Sequence, residues 1–368
     1  MIDLKHFQEI PRLAIDFVDS LKINNKYNYV PTNNYSTASG KKINLGYNCY
    51  ALKLYKITNK WNDLNEIDRN NWRNYILNFQ NHQISDYKNY FIDKEVYDYF
   101  NKYLSSFNAK ENVKIVLNKV AGKNYQNKSV HIFKTLNADN KQTISTLNEI
   151  DVEVSRIPDI SYGLYNDVES YLNSYDWRKP WDAGAQFSSY SVYSKVYGVG
   201  IANNLSKFIK TKLNKDTGSY FDGDDIGTRQ VINGAMKVIS GLDWLNEEIH
   251  MPEKLIDFCL NNKPEFEGCD LVDYVYVLYK CSSQTDYKKQ EIKELLKDIL
   301  KYLNLLYHEE KKGFSYFVNK SQTHYYGIEI SKGNNVPDIH GTLLSVWAIV
   351  MILEILEKNI YNYKTIKP

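Results

Sequence analysis

Gly313-Phe314-Ser315-Tyr316-Phe317, then a polar loop, then Pro337-Asp338-Ile339-His340-Gly341-Thr342, leads into an apolar run containing Val346-Trp347-Ala348-Ile349. The order is a tight Gly-aromatic turn, a loop, and a helix whose first turn carries an acid and an imidazole. A weaker copy lies upstream: Gly218-Ser219-Tyr220-Phe221, then Asp222-Gly223-Asp224-Asp225, then a helix from about Thr228. A repeated turn–acid–helix unit predicts helical hairpins closed into a ring.

Helical spacing recurs along the whole chain. Leu45, Cys49, Leu52 and Tyr55 share one helix face, and Trp72, Tyr75, Ile76 and Phe79 repeat the pattern. Further helices are predicted over 96–103, 144–150, 168–172, 187–197, 231–239, 255–260, 271–279, 292–307 and 343–356. Short connections alternate with long ones rich in Gly, Asn, Asp and aromatic residues. The expectation is an all-α fold, an α/α toroid of about six antiparallel helical hairpins, in one domain spanning 1–368. The Asn- and Lys-rich stretch 108–135 interrupts the rhythm, and Val113-Lys114-Ile115-Val116-Leu117 admits a small β excursion there. Asn140-Lys141-Gln142-Thr143-Ile144 is similar to Thr228-Arg229-Gln230-Val231-Ile232, each reading as a basic residue and Gln at a helix entry.

The 368 residues are 43% hydrophobic and 24% charged, which suits a chain with a packed core. Charge is nearly balanced, 46 basic against 44 acidic residues, so nothing points to a nucleic-acid partner. The longest apolar run, 343–353, is too short to span a bilayer, and 1–20 is amphipathic rather than a signal peptide. Cys49, Cys259, Cys269 and Cys281 form no close pair, and buried free thiols in a cytoplasmic protein are expected. Tyr is abundant at 32 residues, and its flat face with a polar tip suits a pocket for sugars or prenyl chains.

The turn and helix opening at 313–317 and 337–349 resemble those of the terpenoid cyclase and protein prenyltransferase superfamily. There, a Gly-aromatic turn precedes an Asp-x-Asp-Asp-Thr motif and a helix. The resemblance implies a toroid acting on an isoprenoid, with Asp338, His340 and Thr342 at the motif positions. His340 stands where a class II cyclase holds its acid, and an imidazolium is a poorer proton donor than a neutral carboxyl. The Asp-x-Asp-Asp spacing itself occurs at Asp222, Asp224 and Asp225, where crowded acids would retain a proton or simply cap a helix. Prenyltransferases of the superfamily hold zinc through Asp, Cys and His. Cys269, Asp270, Asp273 and His340 supply those types here in Cys-Asp order, so zinc is the one cofactor the resemblance admits.

Trp177-Arg178-Lys179-Pro180-Trp181-Asp182 reads in two ways. Trp177 and Trp181 could stack on sugar rings beside the carboxylate of Asp182, or pack as a staple with Asp182 capping a helix. His324 and Tyr325 on the loop, with Tyr316, could form an acid/base or substrate-binding set. Arg229 could bind an anion or pair with Asp225. The sequence therefore predicts an enzyme with a site on the long-loop face, formed by His340, Asp338, Asp222, Asp224, Asp225 and Asp182. Its substrate would be an isoprenoid or related small molecule. A carbohydrate-active toroid and a non-catalytic binding or scaffold toroid are the alternatives.

Overall fold

Apolar spacing becomes helix wherever it was read, and the elements between follow from how the helices must cover one another. The computed structural model describes residues 3–368 except 24–26, 82–83, 85–86, 106–112, 114–115, 118–119, 121–127, 159–166 and 264–266. Its helices are α1 (Leu4–Ser20), α2 (Leu45–Ile57), α3 (Lys60–Asp63), α4 (Glu66–Leu77), α5 (Lys94–Ser105), α6 (Lys128–Glu149) and α7 (Val168–Asn173). They continue with α8 (Pro180–Tyr197), α9 (Ala202–Thr211), α10 (Thr228–Leu245), α11 (Pro252–Asn261), α12 (Gly268–Ser282), α13 (Lys289–Leu306) and α14 (Ile339–Ile355). Four two-residue strands pair as antiparallel ladders, β1 (Tyr307–His308) with β2 (Gly313–Phe314) and β3 (His324–Tyr325) with β4 (Ile328–Glu329). Those ladders lie at 307–329. The stretch 108–135 falls largely outside the described residues, and its described end, from Lys128, is helix.

Two kinds of helix alternate. α1, α5, α9 and α13 are amphipathic; in α13 the stripe Ile292, Leu295, Leu296, Ile299, Leu300, Leu303 and Leu306 is buried and the rest faces solvent. α2, α8 and α14 are buried on nearly every side. A helix apolar all round must be surrounded by others, and the contacts show how. α2 packs on α6, α6 on α8, α8 on α10, α10 on α12, α12 on α14, and α14 returns to α2. The amphipathic helices cover this closed cycle from outside: α1 touches α2 and α14, α9 touches α8 and α10, and α13 touches α12 and α14.

Polar contacts fix the direction of the cycle. The N-termini of α8, α10, α12 and α14 meet on one rim. The Trp181 N–H donates to Gln230 Oε1 (3.4 Å), Arg229 pairs with Asp270 (2.9 Å), and the Gly268 N–H donates to Tyr316 O (3.0 Å). The C-terminal ends of α2, α6 and α10 are joined on the opposite side by the last residues of the chain. There Lys364 N–H donates to Ile57 O, Lys367 N–H to Glu149 Oε1, and Trp244 Nε1–H to Pro368 O.

The stretch 313–342 is a clamp on that rim. Buried Asp338 caps α14: its Oδ1 accepts from the Gly341 N–H (2.8 Å), and its Oδ2 from the N–H groups of Tyr316 (2.8 Å) and Gln322 (3.0 Å). Thr342 Oγ1 accepts from the Phe314 N–H (3.0 Å). Gly341 is required by contact, since a Cβ there would sit 2.5 Å from Tyr316 N and 2.6 Å from Ser315 C. The Gly-aromatic turn and the helix start are thus two halves of one backbone-bonded joint. One sequence expectation is corrected here. Asn140-Lys141-Gln142-Thr143-Ile144 is mid-helix rather than a helix entry, because α6 begins at Lys128.

Candidate functional site

The six helices of the cycle do not fill its centre. A half-open cavity of about 220 Å³ remains, and each helix contributes to its wall. The residues recur at the spacing of a single helix face: Tyr50 and Lys53 on α2; Ala138, Lys141 and Gln142 on α6; Ala185, Ser188 and Ser189 on α8. Met236 and Lys237 come from α10, Cys269, Val272 and Asp273 from α12, and His340, Leu343, Leu344 and Trp347 from α14. Tyr326 lines it from the β3–β4 turn, and Ile366 and Pro368 from the tail. His340 lies in the first turn of α14 and Trp347 two turns further on, which spans roughly 10 Å of depth.

Three lysines from three helices share this cavity with one acidic side chain, Asp273. Lys237 Nζ lies 3.9 Å from Asp273 Oδ2. Lys141 Nζ reaches only Ser240 Oγ, at 3.4 Å, and neither Lys141 nor Lys53 forms an ion pair among the described residues. Burial, and then the Lys237 and Lys53 charges, hold the Lys141 pKa well below that of a free lysine; burial lowers that of Lys53 as well. Burial lifts the Asp273 carboxyl to about 6, against the pull of Lys237. Two buried polar atoms on cavity residues have no hydrogen-bond partner, Asp273 Oδ2 and Trp347 Nε1. Such atoms are uncommon in a native fold, and on a cavity wall they are the groups a bound molecule would satisfy.

His340 is positioned closely. Its ring stacks on Tyr50 at 4.5 Å and 5°, with Tyr316 at 5.1 Å. Nδ1–H donates to Gln322 Oε1 (3.1 Å), leaving Nε2 as the basic nitrogen. Burial, helped by Lys237, lowers its pKa to about 3, so the ring is neutral at physiological pH. Cys269 accepts a hydrogen bond from the Tyr316 hydroxyl (3.0 Å), and burial pushes its thiol up to about 11. Tyr326 is held at φ 46°, beside Gly327 at φ 90°, in the two-residue turn between β3 and β4. A bulky residue rarely adopts that conformation, and here it places the ring on the cavity wall.

The other candidates share the rim but not the cavity. Asp338 is consumed by its three backbone N–H groups; burial raises its carboxyl to about 6 against their pull. Asp222 is exposed and pairs with Lys212 (2.8 Å), and Asp224 and Asp225 are exposed. Asp182 pairs with Lys134. Trp177 is 1% exposed, packs on Phe208 and donates Nε1–H to Leu172 O (2.9 Å), so it presents no face to a sugar. Trp181 lies under the Arg229 guanidinium (5.1 Å), and Arg229 pairs with Asp270 rather than Asp225. His324 is exposed on β3 beside Thr323. Tyr325 is buried, its hydroxyl donating to Asp139. Of the zinc candidates, Asp270 is held by Arg229 and Asn233, and no three His, Cys, Asp or Glu side chains gather as a metal cluster among the described residues. No helix of the described residues is long and apolar enough to cross a membrane.

Comparison with protein-family models, curated proteins and solved structures finds no match.

Sequence reasoning missed Lys53, Lys141, Lys237, Asp273 as a cavity acid, Tyr50 and Tyr326. A signal was present for two of the lysines, which interrupt helix stretches apolar on both sides, Ala51-Leu52-Lys53-Leu54-Tyr55 and Ala235-Met236-Lys237-Val238-Ile239; Lys141, between Asn140 and Gln142, carries none.

Proposed function

We propose that the chain is an α/α toroid enzyme of the terpenoid cyclase/prenyltransferase-like class, with its active site in the central cavity. Its substrate would be a short isoprenoid or related amphiphile with an anionic end. The observation that carries this reading is the convergence of Lys53, Lys141 and Lys237 on one cavity whose lining has a single Asp or Glu side chain, Asp273. Amines gathered with few acids gain from an anionic guest, which restores the protons that burial and mutual repulsion take from Lys141 and Lys53. The remaining wall, formed by Tyr50, Met236, Val272, Leu343, Leu344 and Trp347, suits a branched apolar body. A cavity of about 150 Å³ takes benzene, so 220 Å³ admits a ligand of roughly ten non-hydrogen atoms. Dimethylallyl phosphate is of that size.

The same lysines disfavour a carbocation and favour a developing anion, which directs the chemistry to proton transfer. Asp273, titrating near 6, can give or take a proton at neutral pH, and neutral His340 offers Nε2 as an acceptor. The carbohydrate reading loses the residues that motivated it, since Trp177 is core and Asp182 is paired. The test is thermal shift followed by turnover, with dimethylallyl phosphate, farnesyl diphosphate and a sugar phosphate. A shift with the first only, lost in Lys53→Met/Lys237→Met, supports the reading. Equal response to the sugar phosphate, or no response to any, would sink it; binding without turnover would reduce the protein to a carrier.

A further inference from the structure

We propose that Lys141 is a catalytic amine that forms an imine with a carbonyl-bearing ligand in the central cavity. The inference rests on the same cavity being a ligand site, but it adds a covalent step that anion binding does not require.

Position separates Lys141 from Lys237, and the Ser240 hydroxyl that orients its amine separates it from Lys53, for which no hydrogen bond or ion pair is found among the described residues. Lys237 has a carboxylate within reach, Asp273 at 3.9 Å. Lys141 has only the Ser240 hydroxyl at 3.4 Å, and Ser240 is already bonded to Ser188 Oγ at 2.7 Å. Lys141 therefore lies in a cavity with two other amines and with Asp273 near but not in ion-pair contact, so little competes for its lone pair. A buried amine in that setting sheds its proton, and desolvation beside other cations is the usual way a lysine becomes a nucleophile. The direction of the Lys141 shift, from burial first and then from Lys237 and Lys53, agrees.

The neighbours supply what the step needs. The Nζ lone pair attacks the carbonyl carbon, an N–C bond forms, and the carbonyl π pair moves to oxygen. Asp273, protonated below about 6, can deliver a proton to that oxygen. Loss of a proton from nitrogen and departure of water then leave the imine; aldehyde or ketone plus amine become imine plus water, and no oxidant or reductant is consumed. Lys53 and Lys237 would hold an anionic group on the ligand, and Trp347 Nε1–H, which has no partner, is available as a donor.

The test is reductive trapping on the full chain. In one arm, limiting formaldehyde with cyanoborohydride at pH 6.5 is followed by peptide mass spectrometry. Lys141 should be methylated at least tenfold faster than exposed lysines such as Lys5, because only neutral amines react. In the second arm, pyruvate with cyanoborohydride should give one adduct per chain, on Lys141, absent from a folded Lys141→Arg variant. If Lys141 reacts no faster than the exposed lysines and gives no pyruvate adduct, the proposal fails. Labelling of Lys141 without any shift from dimethylallyl phosphate would retain the imine and discard the isoprenoid reading. A shift without labelling would do the reverse.

Discussion

Replacing Lys141 with Met should make the protein more stable while it abolishes the pyruvate adduct. Met keeps most of the aliphatic length and removes the amine. The amine leaves little behind: Ser240 keeps its bond to Ser188 (2.7 Å), and no ion pair is broken. What is removed is a largely covered basic group beside Lys53 and Lys237, and a desolvated polar group with a poor partner costs on the order of 1–3 kcal/mol that an apolar side chain of similar length avoids. A gain of about 2 kcal/mol at pH 7 is expected, read as an increased urea midpoint at unchanged slope. The pH dependence gives a second check. Burial lowers the Lys141 pKa in the fold, so this group contributes stability above its unfolded pKa and loses it as pH falls. Wild type is therefore penalised at neutral pH, and the gap between variant and wild type should close as pH rises toward about 10.4. A variant destabilised by 1 kcal/mol or more, or a gap that does not change with pH, would refute the reasoning. Either result would mean that Lys141 is held charged by the fold.

Three further outcomes follow from the same geometry. Asp338→Ala orphans three N–H groups, one buried and two half-buried, and should cost about 4 kcal/mol in urea unfolding, at about 1–3 kcal/mol for each with incomplete additivity. The triple change Asp222→Asn, Asp224→Asn, Asp225→Asn touches exposed groups and should move stability by no more than about 0.5 kcal/mol, with ligand affinity unchanged. Burial raises the Asp139 carboxyl to about 7 despite the Tyr325 hydrogen bond, so its contribution is fully present below about 4 and lost as pH rises through 7. Asp139→Asn should accordingly flatten the stability profile between pH 4 and 7, as measured by thermal melts across that range.

The helices were legible because their signal is local. A face repeating at three and four residues needs no partner to be read, and α2, α10, α13 and α14 appear within a few residues of where the spacing puts them. The clamp at 313–342 was legible as a motif but not in its purpose. Asp338 looks like a candidate acid in sequence, and only the three N–H groups around it show a carboxylate committed to backbone. Trp177-Arg178-Lys179-Pro180-Trp181 reads identically as a stacking platform or as core, since which side of a ring is covered depends on Phe208 and Arg229 from distant segments. The lysine cluster is wholly tertiary. Lys53, Lys141 and Lys237 are far apart in the chain, and only closure of the helix cycle brings them to one cavity. Lys53 and Lys237 nonetheless broke a rule in their own helices, as cations between apolar neighbours, whereas Lys141 sits among Asn140, Gln142 and Thr143 and broke none.

The most direct test of the central claim is a crystal structure of the protein soaked with dimethylallyl phosphate. Difference density should appear in the central cavity, with the phosphate within about 3 Å of at least two of Lys53, Lys141 and Lys237 and the carbon body against Trp347 and Leu343. Density confined to the rim near Asp222, Asp224 and Asp225, or an unchanged empty cavity at saturating ligand, would contradict it.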